Sequence, residues 1–123
     1  MCGIAGVWDF KRHASADSLR ESALQMATAL THRGPDDEGI FLDPDVCLAL
    51  AHRRLSVIDL SAQGHQPMAS SCGRFTIIYN GEIYNTGELA SDLIRCGRRF
   101  RGHSDTEVLL YGYLEWGLET LLK

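Results

Sequence analysis

No run of apolar residues approaches the roughly 20 that a membrane-spanning helix needs, and the chain start lacks the basic, then apolar, then small-residue order of a secretory signal. The expectation is a cytoplasmic protein with no membrane partner. Positive charge is in deficit, 12 Lys and Arg against 16 Asp and Glu, so nothing electrostatic favours a nucleic-acid partner, and a small polar substrate fits better. The four cysteines, Cys2, Cys47, Cys72 and Cys96, form no CxxC pair, which argues against both a zinc knuckle and a dense disulfide framework. The last three read as buried or half-buried thiols. His32, His52, His65 and His103 match no HExxH or paired-ligand spacing; structural or loop roles are expected for them, and no metal site. Repeats, linkers and low-complexity tracts are absent as well.

What is present suits one small domain: 123 residues with 45% hydrophobic content can build a single core. Residues 2–8 are apolar with interleaved glycines and end at Asp9, as a buried strand would. Leu19, Ala23, Met26, Ala27 and Leu30 recur at helical spacing, with Ser18 and Glu21 placed as a capping box. His32 and Arg33 then fall in the last turn, Gly34 reads as a left-handed cap and Pro35 as a stop. Residues 39–42, 46–51 and 75–79 are short, rich in β-favouring types, and separated by Asp, Pro, Ser and Gly. Two further helices start at Asn85, with Glu88 three residues on, and at Ser104, with Glu107 three residues on. Their apolar faces run through Leu89, Leu93 and Cys96, and through Val108, Leu109, Tyr111 and Leu114. Without strict strand-helix alternation, the expected class is α+β, with helices covering an antiparallel or mixed sheet.

Cys2 stands apart because of its position. A thiol with a reference pKa of about 8.5 is mostly protonated at neutral pH, so a nucleophile needs a nearby base. Removal of Met1, which the small Cys2 side chain permits, would give Cys2 a free α-amine titrating at about 7.7–8.0. One residue then carries both nucleophile and base. Gly3 and Gly6 beside it allow close approach of a substrate or another backbone. Position alone is weak evidence for catalysis, and the weight comes from the motifs that follow.

Four segments in one order carry a resemblance: Met1-Cys2-Gly3-Ile4-Ala5-Gly6, His32-Arg33-Gly34-Pro35-Asp36, the stretch from His52-Arg53-Arg54-Leu55-Ser56 to Val57-Ile58-Asp59-Leu60, and Asn80-Gly81-Glu82-Ile83-Tyr84-Asn85. Together they resemble the glutaminase domain of asparagine synthetases, a branch of the amidotransferases with an amino-terminal nucleophile, over essentially the whole chain, 1–123. The resemblance implies an N-terminal-nucleophile (Ntn) hydrolase fold, a four-layer αββα sandwich, and a reaction in which Cys2 hydrolyses L-glutamine to glutamate and ammonia.

The resemblance implies site roles residue by residue. Hydrolysis passes through a tetrahedral oxyanion that needs preorganised donors. Asn80 and Gly81 take that part; by themselves, Asn-Gly is equally a strong signal for a type I′ hairpin turn. Arg54 would hold the α-carboxylate of glutamine, with a surface salt bridge as the alternative. Glu82 and Asp105 would hold its ammonium group, although an acidic residue at Asp105 also suits the first turn of a helix. Val57 and Ile58 would line the pocket, or serve the core. Tyr79 and Tyr84, flanking the Asn-Gly pair, read as packing residues.

The family's domain continues beyond position 123, so the expectation is a partial amidotransferase domain that leaves sheet edges uncovered. No cofactor is expected within it. ATP and Mg²⁺ belong to a separate synthetase domain, the partner that receives ammonia, and a homodimer is expected of the full protein. Two alternatives stay open: an amidotransferase of the same branch acting in surface-polysaccharide or modified-peptide synthesis, and a noncatalytic module that kept the fold.

Overall fold

Side chains of a strand alternate between faces, and in β1 (Gly3–Trp8) this sends Ala5 and Val7 to one side and Ile4 and Trp8 to the other. The computed structural model describes residues 1–57 and 61–123; Ile58, Asp59 and Leu60 lie outside the described residues. These residues form two compact units and a mixed α/β structure.

The first unit comprises Met1–Ser56, His65–Pro67 and Ile78–Asn80. Its three-stranded antiparallel sheet has β3 (Leu48–Arg54) in the middle, between β1 and β2 (Asp37–Asp43). The register sets Ala5 and Ile40 on either side of Ala51, and Val7 and Leu42 on either side of Ala49. That face is covered by α1 (Ala16–Ala29), whose Leu19, Ala23 and Ala27 lie four apart on one stripe. Small side chains on both partners let helix and sheet approach closely: Ala23, Ala27 and Ala49 are wholly buried. Asp9 ties β1 to α1, its carboxylate accepting the backbone N–H groups of Lys11, His13 and Ala14. The Ala14 contact foremost holds that carboxyl below its ordinary value.

The N-cap of α1 is Ser15, whose hydroxyl accepts from the Ser18 N–H at 3.2 Å, so the Ser18–Glu21 capping box does not form. The helix ends at Ala29 with Leu30 as its cap, ahead of His32 and Arg33. Gly34 is no left-handed cap: a Cβ there would lie 2.3 Å from the Arg53 carbonyl carbon, so the glycine serves close approach to β3. The third strand starts later and runs further than 46–51, because Cys47 is left-handed in a turn and the ladder continues through His52, Arg53 and Arg54. Polar residues hid that end of the strand, and pairing on both sides holds it.

The second unit comprises Val57–Gly64, Met68–Ile77 and Gly81–Lys123. A 3₁₀ turn, Ala62–Gly64, precedes a two-stranded ladder of β4 (Met68–Ala69) and β5 (Thr76–Ile77). The expected strand over 75–79 shrinks to two residues, since the Tyr79 N–H goes to the Gln66 side chain instead of a ladder. The helices α2 (Thr86–Arg95) and α3 (Asp105–Leu121) pack through Leu93, Val108 and Tyr111, with Phe100 edge-on to Tyr111. Ser104 caps α3 by accepting the Thr106 N–H. Glu107, 1% exposed, reaches back to the N–H groups of Arg101 and Gly102. Gly117, at φ 73°, kinks the last turns of α3. Asn85 stands at the N-cap of α2 without a side-chain cap bond. Cys72 and Cys96 are exposed, unlike the buried Cys47, and Tyr84, at 90% exposure, is no packing residue. Among the described residues no helix is long and apolar enough to cross a membrane.

Candidate active site

Antiparallel pairing of β1 with β3 ends at Gly3 opposite Arg53, which carries Cys2 to the residues just beyond that strand. There the Leu55 N–H donates to the Cys2 sulfur at 3.4 Å, and the Leu55 carbonyl lies 3.7 Å from it. The Cys2 carbonyl accepts from Arg33 Nε at 3.2 Å, so the loop after α1 fixes the backbone of the half-buried cysteine. Met1 ahead of it is 79% exposed.

The two successive arginines at the end of β3 point to opposite faces. Arg53 is committed locally, donating to the Gly34 carbonyl at 2.9 Å and to Glu38 at 2.7 Å. Arg54 is 7% exposed, on the same face as His52 and opposite Asp37 in the register. A guanidinium so enclosed suits a planar carboxylate better than a solvated salt bridge.

Asn80 closes the first unit. It follows Tyr79, whose N–H donates to Gln66 Oε1 at 2.6 Å, and the Tyr79 backbone is also hydrogen-bonded to the His52 ring. The next element after Gly81 is α2, so among the described residues Asn80 and Gly81 join no pair of strands and the hairpin reading falls away. Burial holds His52 below the ordinary imidazole value, against the opposing effects of the Tyr79 hydrogen bond and Asp37. Among the described residues its Nε2 has no hydrogen-bond partner.

The remaining candidates belong to the second unit. Asp105 is 8% exposed as the first residue of α3, where the helix dipole favours a carboxylate. Its Oδ2 accepts the Ile83 N–H at 3.4 Å, which ties the loop bearing the exposed Gly81 and Glu82 to the start of that helix. Val57 is 73% exposed, which rules out a core role for it. Ile58 lies outside the described residues. Cys2, Arg54 and Asn80 thus share one unit, and Val57, Gly81, Glu82 and Asp105 the other.

Sequence reasoning missed Leu55, which acts through its backbone, and with it Arg33 and Gln66, whose partners lie 31 and 13 residues away. Leu55 and Arg33 stand within motifs already singled out, whereas Gln66 carries no signal beyond preceding a proline. No three His, Cys, Asp or Glu residues cluster to hold a metal among the described residues.

The glutamine amidotransferase domain family matches residues 1–123. The chain is similar to asparagine synthetase [glutamine-hydrolyzing] 3 of Bacillus subtilis, 42% identical over 118 residues that cover 94% of this chain and 18% of the relative. It is 41% identical to asparagine synthetase B [glutamine-hydrolyzing] of Escherichia coli over 123 residues, 98% of this chain and 21% of the relative. For the putative asparagine synthetase [glutamine-hydrolyzing] 2 of Methanocaldococcus jannaschii the identity is 36% over 135 residues, 97% and 25%. The chain therefore spans between 18% and 25% of the length of these relatives.

Proposed function

Because the chain belongs to the glutamine amidotransferase domain family, we propose that it hydrolyses the side-chain amide of L-glutamine, with Cys2 as nucleophile, as part of an asparagine synthetase. The observation that carries this reading is the N–H of Leu55, the residue that follows buried Arg54, directed at the Cys2 sulfur.

Exposed Met1 is removed, and the freed α-amine of Cys2 takes the thiol proton. The sulfur then attacks the amide carbon. A C–S bond forms, and the carbonyl electron pair moves onto oxygen, where Asn80 and Gly81 donate hydrogen bonds. The C–N bond breaks, ammonia leaves with the proton held by the α-amine, and water hydrolyses the γ-glutamyl thioester to glutamate and the free thiol. Arg54 grips the α-carboxylate, Glu82 and Asp105 the ammonium group, and Val57 and Ile58 border the pocket. In the same reading the fold is an Ntn-type αββα sandwich, of which α1 on its three-stranded sheet supplies two layers. Residues 1–123 are then part of the amidotransferase domain, and ammonia passes to a synthetase domain that uses ATP and Mg²⁺ to amidate aspartate, in a homodimeric protein.

The test compares wild type with Cys2→Ala in the complete protein. Wild type should release glutamate from glutamine and take up one 6-diazo-5-oxo-norleucine label on Cys2, while Cys2→Ala does neither and keeps ammonia-dependent synthesis. Glutamine hydrolysis that survives Cys2→Ala overturns the assignment.

A further inference from the structure

Among the described residues the segment bearing Asn80 has no strand partner, yet an oxyanion donor must be held to within about 0.5 Å of its working position. What holds it is a chain of contacts leading back to the sheet that carries Arg54. The Asp37 carboxylate on β2 binds the His65 ring at 2.7 Å. Two residues along β2, Gly39 lies so close to the next residue, Gln66, that a Cβ on it would be 2.0 Å from the Gln66 carbonyl oxygen. Gln66 is 6% exposed, and its Oε1 accepts the Tyr79 N–H at 2.6 Å, one residue before Asn80. From β3 the His52 ring meets the backbone of the same Tyr79.

We propose that Gln66 is a positioning residue for glutamine hydrolysis, its side-chain oxygen fixing the Tyr79 backbone and thereby aiming the Asn80 amide at the developing oxyanion. The inference rests on the reading of Asn80 as an oxyanion donor. Gln66 touches no reacting atom and acts through Asn80, so its effect falls on the transition state and leaves glutamine binding alone.

The experiment is a double-mutant cycle in the complete protein with Gln66→Met, which keeps the side chain's length and apolar stem but removes the acceptor, and Asn80→Ala. Loss of an oxyanion donor costs on the order of 100- to 1,000-fold in kcat, and misdirecting one is expected to cost about 10- to 100-fold. Gln66→Met should lower kcat by that factor with KM within about threefold, and weaken an aldehyde analogue of glutamine by a similar factor. That analogue adds the Cys2 thiol across its carbonyl and so places an oxygen on the same donors. Inhibition by the product glutamate should be unchanged. Added to Asn80→Ala, Gln66→Met should cost nothing further, because its effect passes through the group already removed. A kcat within twofold of wild type, a parallel loss of glutamate affinity, or effects that multiply with those of Asn80→Ala overturns the inference and leaves the proposed function standing. If wild type turns over no glutamine, the proposed function itself fails and takes this inference with it. Should Gln66→Met not fold, amide exchange in wild type decides: protection of the Tyr79 N–H by about 100-fold or more supports the bond to Gln66, and exchange at the free-peptide rate overturns it.

Discussion

Replacing Gly39 by alanine tests the contact between β2 and the Gln66 segment with a single methyl group. The new Cβ would stand 2.0 Å from the Gln66 carbonyl oxygen and 2.9 Å from its carbon, so about 1.4 Å of movement is needed to reach the 3.4 Å of ordinary contact. β2 cannot supply it cheaply, since Gly39 lies within a seven-residue ladder with β3, opposite His52. The Gln66 backbone must therefore give way, by more than its 2.6 Å bond to the Tyr79 N–H can absorb. Overpacking of a close contact costs about 1–3 kcal/mol. An unmade bond to an enclosed backbone donor adds about 1–3 kcal/mol. A loss of about 2–6 kcal/mol is a large share of a typical folding free energy of about 5–15 kcal/mol. Urea unfolding should show a lower midpoint at unchanged slope. Gly87→Ala is the internal control: its Cβ meets nothing within 4 Å on α2, and it should gain about 0.5–1 kcal/mol from helix propensity. A Gly39→Ala protein within about 0.5 kcal/mol of wild type would refute the packing argument.

His52 predicts a pH dependence. Burial holds its folded pKa below the ordinary 6.5, so as pH falls the unfolded chain binds a proton before the folded one does. Its contribution is complete above pH 6.5, declines as the pH drops from there through the folded value, and is level below that. His52→Gln should flatten this decline in urea midpoints measured over that interval, and an unaltered slope would exclude His52 as its source. Glu107→Ala strips the carboxylate that accepts the Arg101 and Gly102 N–H groups and should cost about 2–4 kcal/mol, nearly all of it from those backbone donors, since the Arg101 side chain is 51% exposed. A drop below about 1 kcal/mol in the same assay would show that solvent replaces the carboxylate.

Local patterns were legible where one element decides its own structure. The helical spacing of Leu19, Ala23 and Ala27 marked the buried stripe of α1, and Ser104 and Glu107 announced the start of α3. Element ends were less legible than the elements themselves. Ser15 outcompeted Ser18 as cap because its hydroxyl reaches the free N–H, a matter of backbone angles that residue types alone do not disclose. The strand running through His52, Arg53 and Arg54 looked like a loop, since its stability comes from two neighbouring ladders instead of its own side chains.

The candidate site divides in the same way. Sequence by itself determined the family, through four motifs in order, and with it the residues proposed for the site: Cys2, Arg54, Asn80, Glu82 and Asp105. Tertiary structure alone decided which of two adjacent arginines is tied up with Glu38 and which is enclosed at the end of β3. It also decided that Gly34 and Gly39 are glycines for want of room, that Leu55 meets the Cys2 sulfur through its backbone, and that Gln66 holds the segment leading to Asn80. The physical reason is common to all three: backbone amides and close contacts bring together residues 13 to 53 positions apart, and a backbone group carries no side-chain identity for a sequence to display.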